Sequence, residues 1–225
     1  MAGYMIRPLV EGWRGERWFA QVQVSLDLNV LLYGAALLGL LTGPDQSLFP
    51  YPRLSAFPTE VAARATDEWP DIWRETVDAH GQAWRSASTH FRLVGGMLFG
   101  SDSHTPASGF PSQFPAWVTL LSTIRPEFTA WFQNGSVGGD HAIATTFFER
   151  IGRGPRHQVL KALSHPLAHL RTPVVCLDLV FKDSALPMFG SQEYLVVGPQ
   201  DLNWPDFQLP ARLVDAVQDT AIRNA

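Results

Sequence analysis

From Phe19 onward, apolar and polar positions alternate: Val22, Val24, Leu26 and Leu28 against Gln21, Gln23, Ser25 and Asp27. A period of two is what a strand with one buried face requires, so a strand is predicted over 19–28. The stretch from Leu28 to Leu41 that follows is uncharged and Leu-rich, and Gly43-Pro44 stands behind it as a stop. It reads as a helix apolar nearly all round and therefore central, with Asn29 or Asp27 as its N-cap. A bilayer span needs about 20 apolar residues, and this stretch is shorter and interrupted by Asn29, Gly34 and Gly39. A core helix is the expectation, with no membrane association.

Beyond Pro44 the pattern becomes irregular. Pro44, Pro50, Pro52 and Pro58 mark a long loop, anchored by Leu48, Phe49, Tyr51 and Phe57. A short helix is predicted over 59–65. A second helix starts at Pro70, because proline is preorganised for a first helical position, with Asp67 and Glu68 near the positive end. Trp69, Trp73, Val77, His80 and Trp84 recur at helical spacing and form one stripe, and Gly81 is a candidate break. Further along, the pattern predicts a strand over 90–99 and a polar loop over 100–115. Short helices follow over 116–122, 127–132, 141–150 and 156–163. Strands over 174–181 and 194–197 precede a closing helix over 210–222. No linker divides the chain and no repeat is visible. The sum is a single α+β domain over 1–225, with a small, mostly antiparallel sheet packed with several short helices.

Composition narrows the function classes. The chain has 225 residues, a net charge of −4, 46% hydrophobic and 17% charged residues. That balance excludes a disordered chain and argues against a general nucleic-acid binder, which needs a basic surface. The only cysteine, Cys176, lies in Pro173-Val174-Val175-Cys176-Leu177. A disulfide framework or Cys-rich metal site is thereby excluded, and a buried strand residue is expected. The first residues lack a basic segment followed by an apolar one, so no secretory signal is read. A cytoplasmic location is the expectation.

Seven histidines are the richest chemical lead. His165 and His169 have the spacing of four that places two rings on one helix face, with Asp140 or Glu149 available as a carboxylate. The zinc-protease helix needs Glu after the first His, and Pro166 stands there instead, so no metal site and no cofactor is assigned. Ser101-Asp102-Ser103-His104 holds triad residue types too close in sequence to form a triad. Neither a nucleophile elbow nor a phosphate-binding glycine loop is present. Asp140-His141 after Gly138-Gly139 reads as an ordinary helix start. Charge is uneven: Arg150, Arg153, Arg156, Lys161 and Arg171 make a basic stretch, whereas 59–78 is acidic. Such separation fits a partner surface or a cradle for an anion.

Four pieces together carry a resemblance: Leu26-Asp27-Leu28-Asn29 leading into Leu32-Tyr33-Gly34-Ala35; Pro52-Arg53-Leu54-Ser55-Ala56-Phe57-Pro58; Asp78-Ala79-His80-Gly81-Gln82-Ala83-Trp84; and Val174-Val175-Cys176-Leu177-Asp178-Leu179. This layout resembles a group of uncharacterised proteins carried by phages, prophages and actinobacterial genomes. It departs from them at Leu54 to Phe57, where their loop has a glycine. The resemblance implies an intracellular accessory protein and brings no activity or functional residue with it.

The sequence therefore points to a non-catalytic binding protein, acting on a partner protein or a small anionic ligand. Trp69, Trp73, His80, Trp84, Arg153 and Arg156 are its candidate binding residues. The alternative is a metal- or acid–base-dependent hydrolase using His165, His169 and Asp140, or His80, His90 and His104.

Overall fold

The structure, a computed structural model, describes residues 4–6, 19–41, 59–88, 92–94, 97–99, 113–153, 174–182 and 194–199. These form strands β1 (Tyr4–Ile6) and β2 (Phe19–Gln23) and helices α1 (Leu26–Leu37) and α2 (Thr59–Ser88). Strands β3 (Arg92–Val94) and β4 (Met97–Phe99) and helix α3 (Pro115–Phe132) come next. A 3₁₀ turn (Gly135–Val137), α4 (Gly139–Arg153), β5 (Val174–Leu179) and β6 (Tyr194–Val197) complete the set. The expected helices over 156–163 and 210–222 and the long loop over 44–58 lie outside the described residues.

The sheet corrects the predicted fold class. The strand order is β1-β2-β5-β6, and β5 runs parallel to both β2 and β6; only edge strand β1 pairs antiparallel. The described part is mostly helical around a small sheet with parallel central pairs, not a mostly antiparallel sheet with short helices. The error has a physical origin. Parallel partners must come from distant sequence, joined by long crossovers, and no local pattern records which strands meet. The expected strand over 90–99 is instead the separate antiparallel pair β3-β4, with Val94 opposite Met97.

Two helices are longer than the proline rule suggests. α2 is continuous through Pro70 and Gly81, and α3 through Pro126. A proline inside a helix removes one hydrogen bond and crowds the carbonyl four residues back. Both prolines, and the residues four before them, Thr66 and Ser122, lie on exposed faces, where water can take the freed carbonyl. The buried stripes run on regardless: Ala65, Trp69, Ile72, Trp73, Val77 and His80 on α2, and Trp117, Leu120, Leu121, Ile124, Phe128 and Phe132 on α3. Burial of these side chains, about 1.5–3 kcal/mol for each large one, outweighs the local penalty.

α1 is fully buried from Leu28 to Ala35, as a helix apolar all round must be. Ser25 caps it, its hydroxyl accepting from the amide of Leu28, so neither Asp27 nor Asn29 is the N-cap. α3 crosses α1 at Gly34, where an added Cβ would lie 2.8 Å from the Trp117 ring. Only glycine permits that approach. Asp27 then ties the start of α1 to Arg125 of α3 at 2.8 Å. α2 and α3 are joined by the Trp117 indole N–H, which donates to the Ala65 carbonyl at 2.7 Å, and by tilted rings of Trp69 and Trp117.

Candidate functional site

The polar groups of the interior gather around Asp178. Alternation along β5 puts Cys176 and Asp178 on one face of the sheet, and both are fully buried. In register, Asp178 lies opposite Gln23 of β2 and Val196 of β6, close to where all three strands end. The cluster thus sits at the carboxyl ends of parallel strands, the usual place for a ligand site in open sheets of this kind.

Three donors hold the carboxylate. The Ser25 amide donates to Oδ1 at 2.9 Å, and Gln23 Nε2 and the Tyr194 hydroxyl donate to Oδ2 at 2.8 and 2.6 Å. The first of these pins the entry of α1 to the sheet. Asn29, one turn into α1, completes the junction. Its amide donates to the carbonyls of Ser25 and Leu179, and its oxygen accepts from the amide of Phe181. Backbone groups leaving β5 that would otherwise be buried unpaired are satisfied in this way.

His80 enters from α2 with 1% exposure. Its Nδ1 is 3.8 Å from Asp178 Oδ2, beyond hydrogen-bond range, and its ring lies 6.2 Å from that of Tyr194. Among the described residues, neither ring nitrogen has a hydrogen-bond partner, and the same holds for Thr76 Oγ1, Trp73 Nε1 and Trp69 Nε1. These four side chains recur along one face of α2, so the buried stripe carries a row of unsatisfied polar atoms. Leaving such a group unpaired costs about 1–3 kcal/mol.

Burial sets the electrostatics. It pushes the Asp178 carboxyl up from its usual range, against the opposing pull of His80 and of the three hydrogen bonds. It raises the Tyr194 phenol and the Cys176 thiol further, and the Asp178 charge adds to both. Cys176 is thus an unreactive buried thiol, in keeping with its strand environment.

Of the sequence candidates, Trp69, Trp73 and His80 come together on one face of α2, with Trp69 and Trp73 ring centroids 5.5 Å apart. Trp84 continues α2 and Arg153 ends α4, but their side chains lie outside the described residues, as do Arg156, His90, His104, His165 and His169. Asp140, in the first turn of α4, bonds the amide of the exposed His141. Among the described residues no group of three or more His, Cys, Asp or Glu side chains could hold a metal ion. Asp178, Tyr194, Gln23 and Thr76 were missed by the sequence reading. One signal was available: Asp178 is a charge inside the apolar run Val174-Val175-Cys176-Leu177-Asp178-Leu179-Val180, and a strand buried on both faces keeps a carboxylate only with partners. No family model, curated protein or solved structure matches the chain.

Proposed function

We propose that the protein is a non-catalytic binding protein, holding a small ligand or a partner group at the carboxyl ends of β2, β5 and β6. The observation that carries this reading is His80: an imidazole almost wholly buried, beside a buried carboxylate, with both nitrogens unpaired among the described residues. A group built purely for packing has no use for that cost, and a bound molecule would repay it. An anionic ligand, expected from Arg153 and Arg156, fits this cluster poorly, because Asp178 stands at its centre. The phage-related accessory setting rests on the sequence resemblance. Among the described residues no helix is long and apolar enough to cross a membrane.

A second reading, acid–base hydrolysis, draws on the same pair, since Asp178 could orient His80 as a general base. No nucleophile with a partner base stands beside it among the described residues, and the Cys176 thiol is held in its protonated form by burial. Native mass spectrometry of the purified protein tests the binding reading. The expected result is a mass excess that disappears on denaturation, or a thermal shift with one class of a metabolite library that is lost in His80→Phe. Neither signal, with ester or amide turnover abolished in His80→Phe, would favour the hydrolase.

A further inference from the structure

We infer that α2 is a hinged cover: its segment 71–80 swings at Pro70, away from the sheet, and that movement is the route by which a ligand reaches Asp178 and His80. The opening stands on the packing of α2 alone; its use as a gate rests on the binding reading above.

α2 buries polar atoms without satisfying them. Among the described residues, the buried side-chain atoms that lack a hydrogen-bond partner are Trp69 Nε1, Trp73 Nε1, Thr76 Oγ1 and both nitrogens of His80, all on this helix. At about 100° per residue, these four side chains fall within an arc of about 60°. They form one line on the face turned to the core, each at most 5% exposed. α1 and α3 are built otherwise. Asn29 of α1 bonds three backbone groups, and the Trp117 indole of α3 bonds the Ala65 carbonyl. A polar group that is dry and unpaired in the closed position regains water when the helix moves out. Opening α2 is eased in this way; opening α1 breaks bonds already made.

The attachments of α2 differ along its length. Its early turns are tied to α3: the Trp117 indole donates to the Ala65 carbonyl, and the Trp117 amide donates to Glu68 at 3.4 Å. Beyond Pro70, among the described residues, the one hydrogen bond between α2 and the rest of the protein is the exposed contact of Gln113 with Glu75. Arg74 pairs with Asp71 inside α2 itself, so that ion pair travels with the helix. His80 approaches the sheet at 3.8 Å, beyond hydrogen-bond range. Between the tied part and the loose part stands Pro70, which has no amide to offer the Thr66 carbonyl. The helical ladder is weakest at that turn, which makes it the pivot. Burial of Ile72, Trp73 and Val77 holds the segment down, so closed is the resting state, and Asp178 and His80 are shut off in it.

The test is hydrogen–deuterium exchange of the full chain at pH 7, read by mass spectrometry of peptides across a urea series below the unfolding transition. Amides of 71–80 should be about tenfold or more less protected than those of 28–35 in α1 and 117–128 in α3. Their protection should also depend less on urea, the mark of a partial opening. Thr76→Val, nearly isosteric, removes an unpaired hydroxyl and should raise the protection of 71–80 about fivefold or more; the exposed Thr123→Val on α3 should leave it unchanged. Pro70→Ala restores the missing bond and should raise it as well. Equal protection and equal urea dependence in the three helices overturn the hinge, and so does a fall in protection in Thr76→Val. Unchanged protection in Pro70→Ala overturns Pro70 as the pivot. A segment that opens as expected, in a chain with no bound mass and no thermal shift, keeps the hinge and overturns the gate together with the binding reading.

Discussion

Asn29 and Tyr194 each serve a single buried partner set, so their removal has calculable consequences. Asn29→Leu fits the apolar surroundings of α1 but strands the Phe181 amide and the carbonyl of Leu179. A loss of about 2–6 kcal/mol in urea-unfolding free energy is expected, at about 1–3 kcal/mol for each of the two orphaned groups. Tyr194→Phe keeps the ring and removes the hydroxyl that donates to Asp178; about 1.5–3 kcal/mol should be lost, as for other hydrogen bonds to charged groups. Asp178 itself makes stability depend on pH. Burial raises its folded-state value above the ordinary 3.8, so the native state holds the proton more tightly than the unfolded chain. Its contribution is therefore fully present below about 3.8 and is lost as pH rises through the raised folded value. The groups facing it are His80 from α2, Gln23 and the Ser25 amide from the β2–α1 junction, Tyr194 from β6 and Cys176 from β5. In Asp178→Asn this decline should vanish. Unfolding free energies of both proteins from pH 4 to 8 check it: the wild-type curve should fall relative to the variant as pH rises. Asp178 was legible in the sequence only as an anomaly in an apolar strand. Its partners were not, since Gln23 and Ser25 lie 155 and 153 residues away.

At the scale of elements, hydrophobic periodicity was read well and interruptions were read too strictly. The Trp69-to-His80 stripe is the buried face of α2. Pro70 was expected to start a separate helix, Gly81 was a candidate break, and two helices over 116–122 and 127–132 were expected where α3 is continuous. α2 and α3 run on through these positions; at Pro70 and Pro126 the proline and the carbonyl it frees face outward. Pro70→Ala restores a donor to the Thr66 carbonyl and should raise the melting temperature, by an amount corresponding to at most about 3 kcal/mol. A fall would mean that Pro70 itself helps to seat Trp69 and Trp73. Gly34 is the opposite kind of position. Gly34→Val drives a side chain into Trp117 and should cost about 1–3 kcal/mol through overpacking, read by the same denaturation experiment. The α1 start was misplaced for a local reason: Ser25, Asp27 and Asn29 are all good caps, and only the meeting with Asp178 and β5 selects Ser25 for the cap and turns Asn29 inward.

At the scale of the molecule, the sheet is a pairing of distant segments, and that is the part of the fold the sequence did not reveal. Strand positions could be read from alternation; their parallel order could not, because β2 meets β5 only after α1, α2, α3 and α4 have intervened. Cys176 reports on the integrity of this arrangement. It is fully buried and its thiol is raised by burial and by Asp178. An aromatic disulfide reagent should therefore modify it only as fast as the sheet opens, with the rate rising in Tyr194→Phe in proportion to lost stability. The order of synthesis imposes a delay of another kind. Residues 20 to 29 leave the ribosome long before residues 174 to 181, and at about 5–20 residues per second the 153 positions separating Ser25 from Asp178 take roughly 8–30 s to translate. During that interval α1, the most apolar helix described, has neither its sheet nor the acceptors for Asn29. α2 and α3, the helices that cover α1, are complete well before β5, so the nascent chain can bury the apolar faces of α1 long before it can satisfy the polar groups of Ser25 and Asn29.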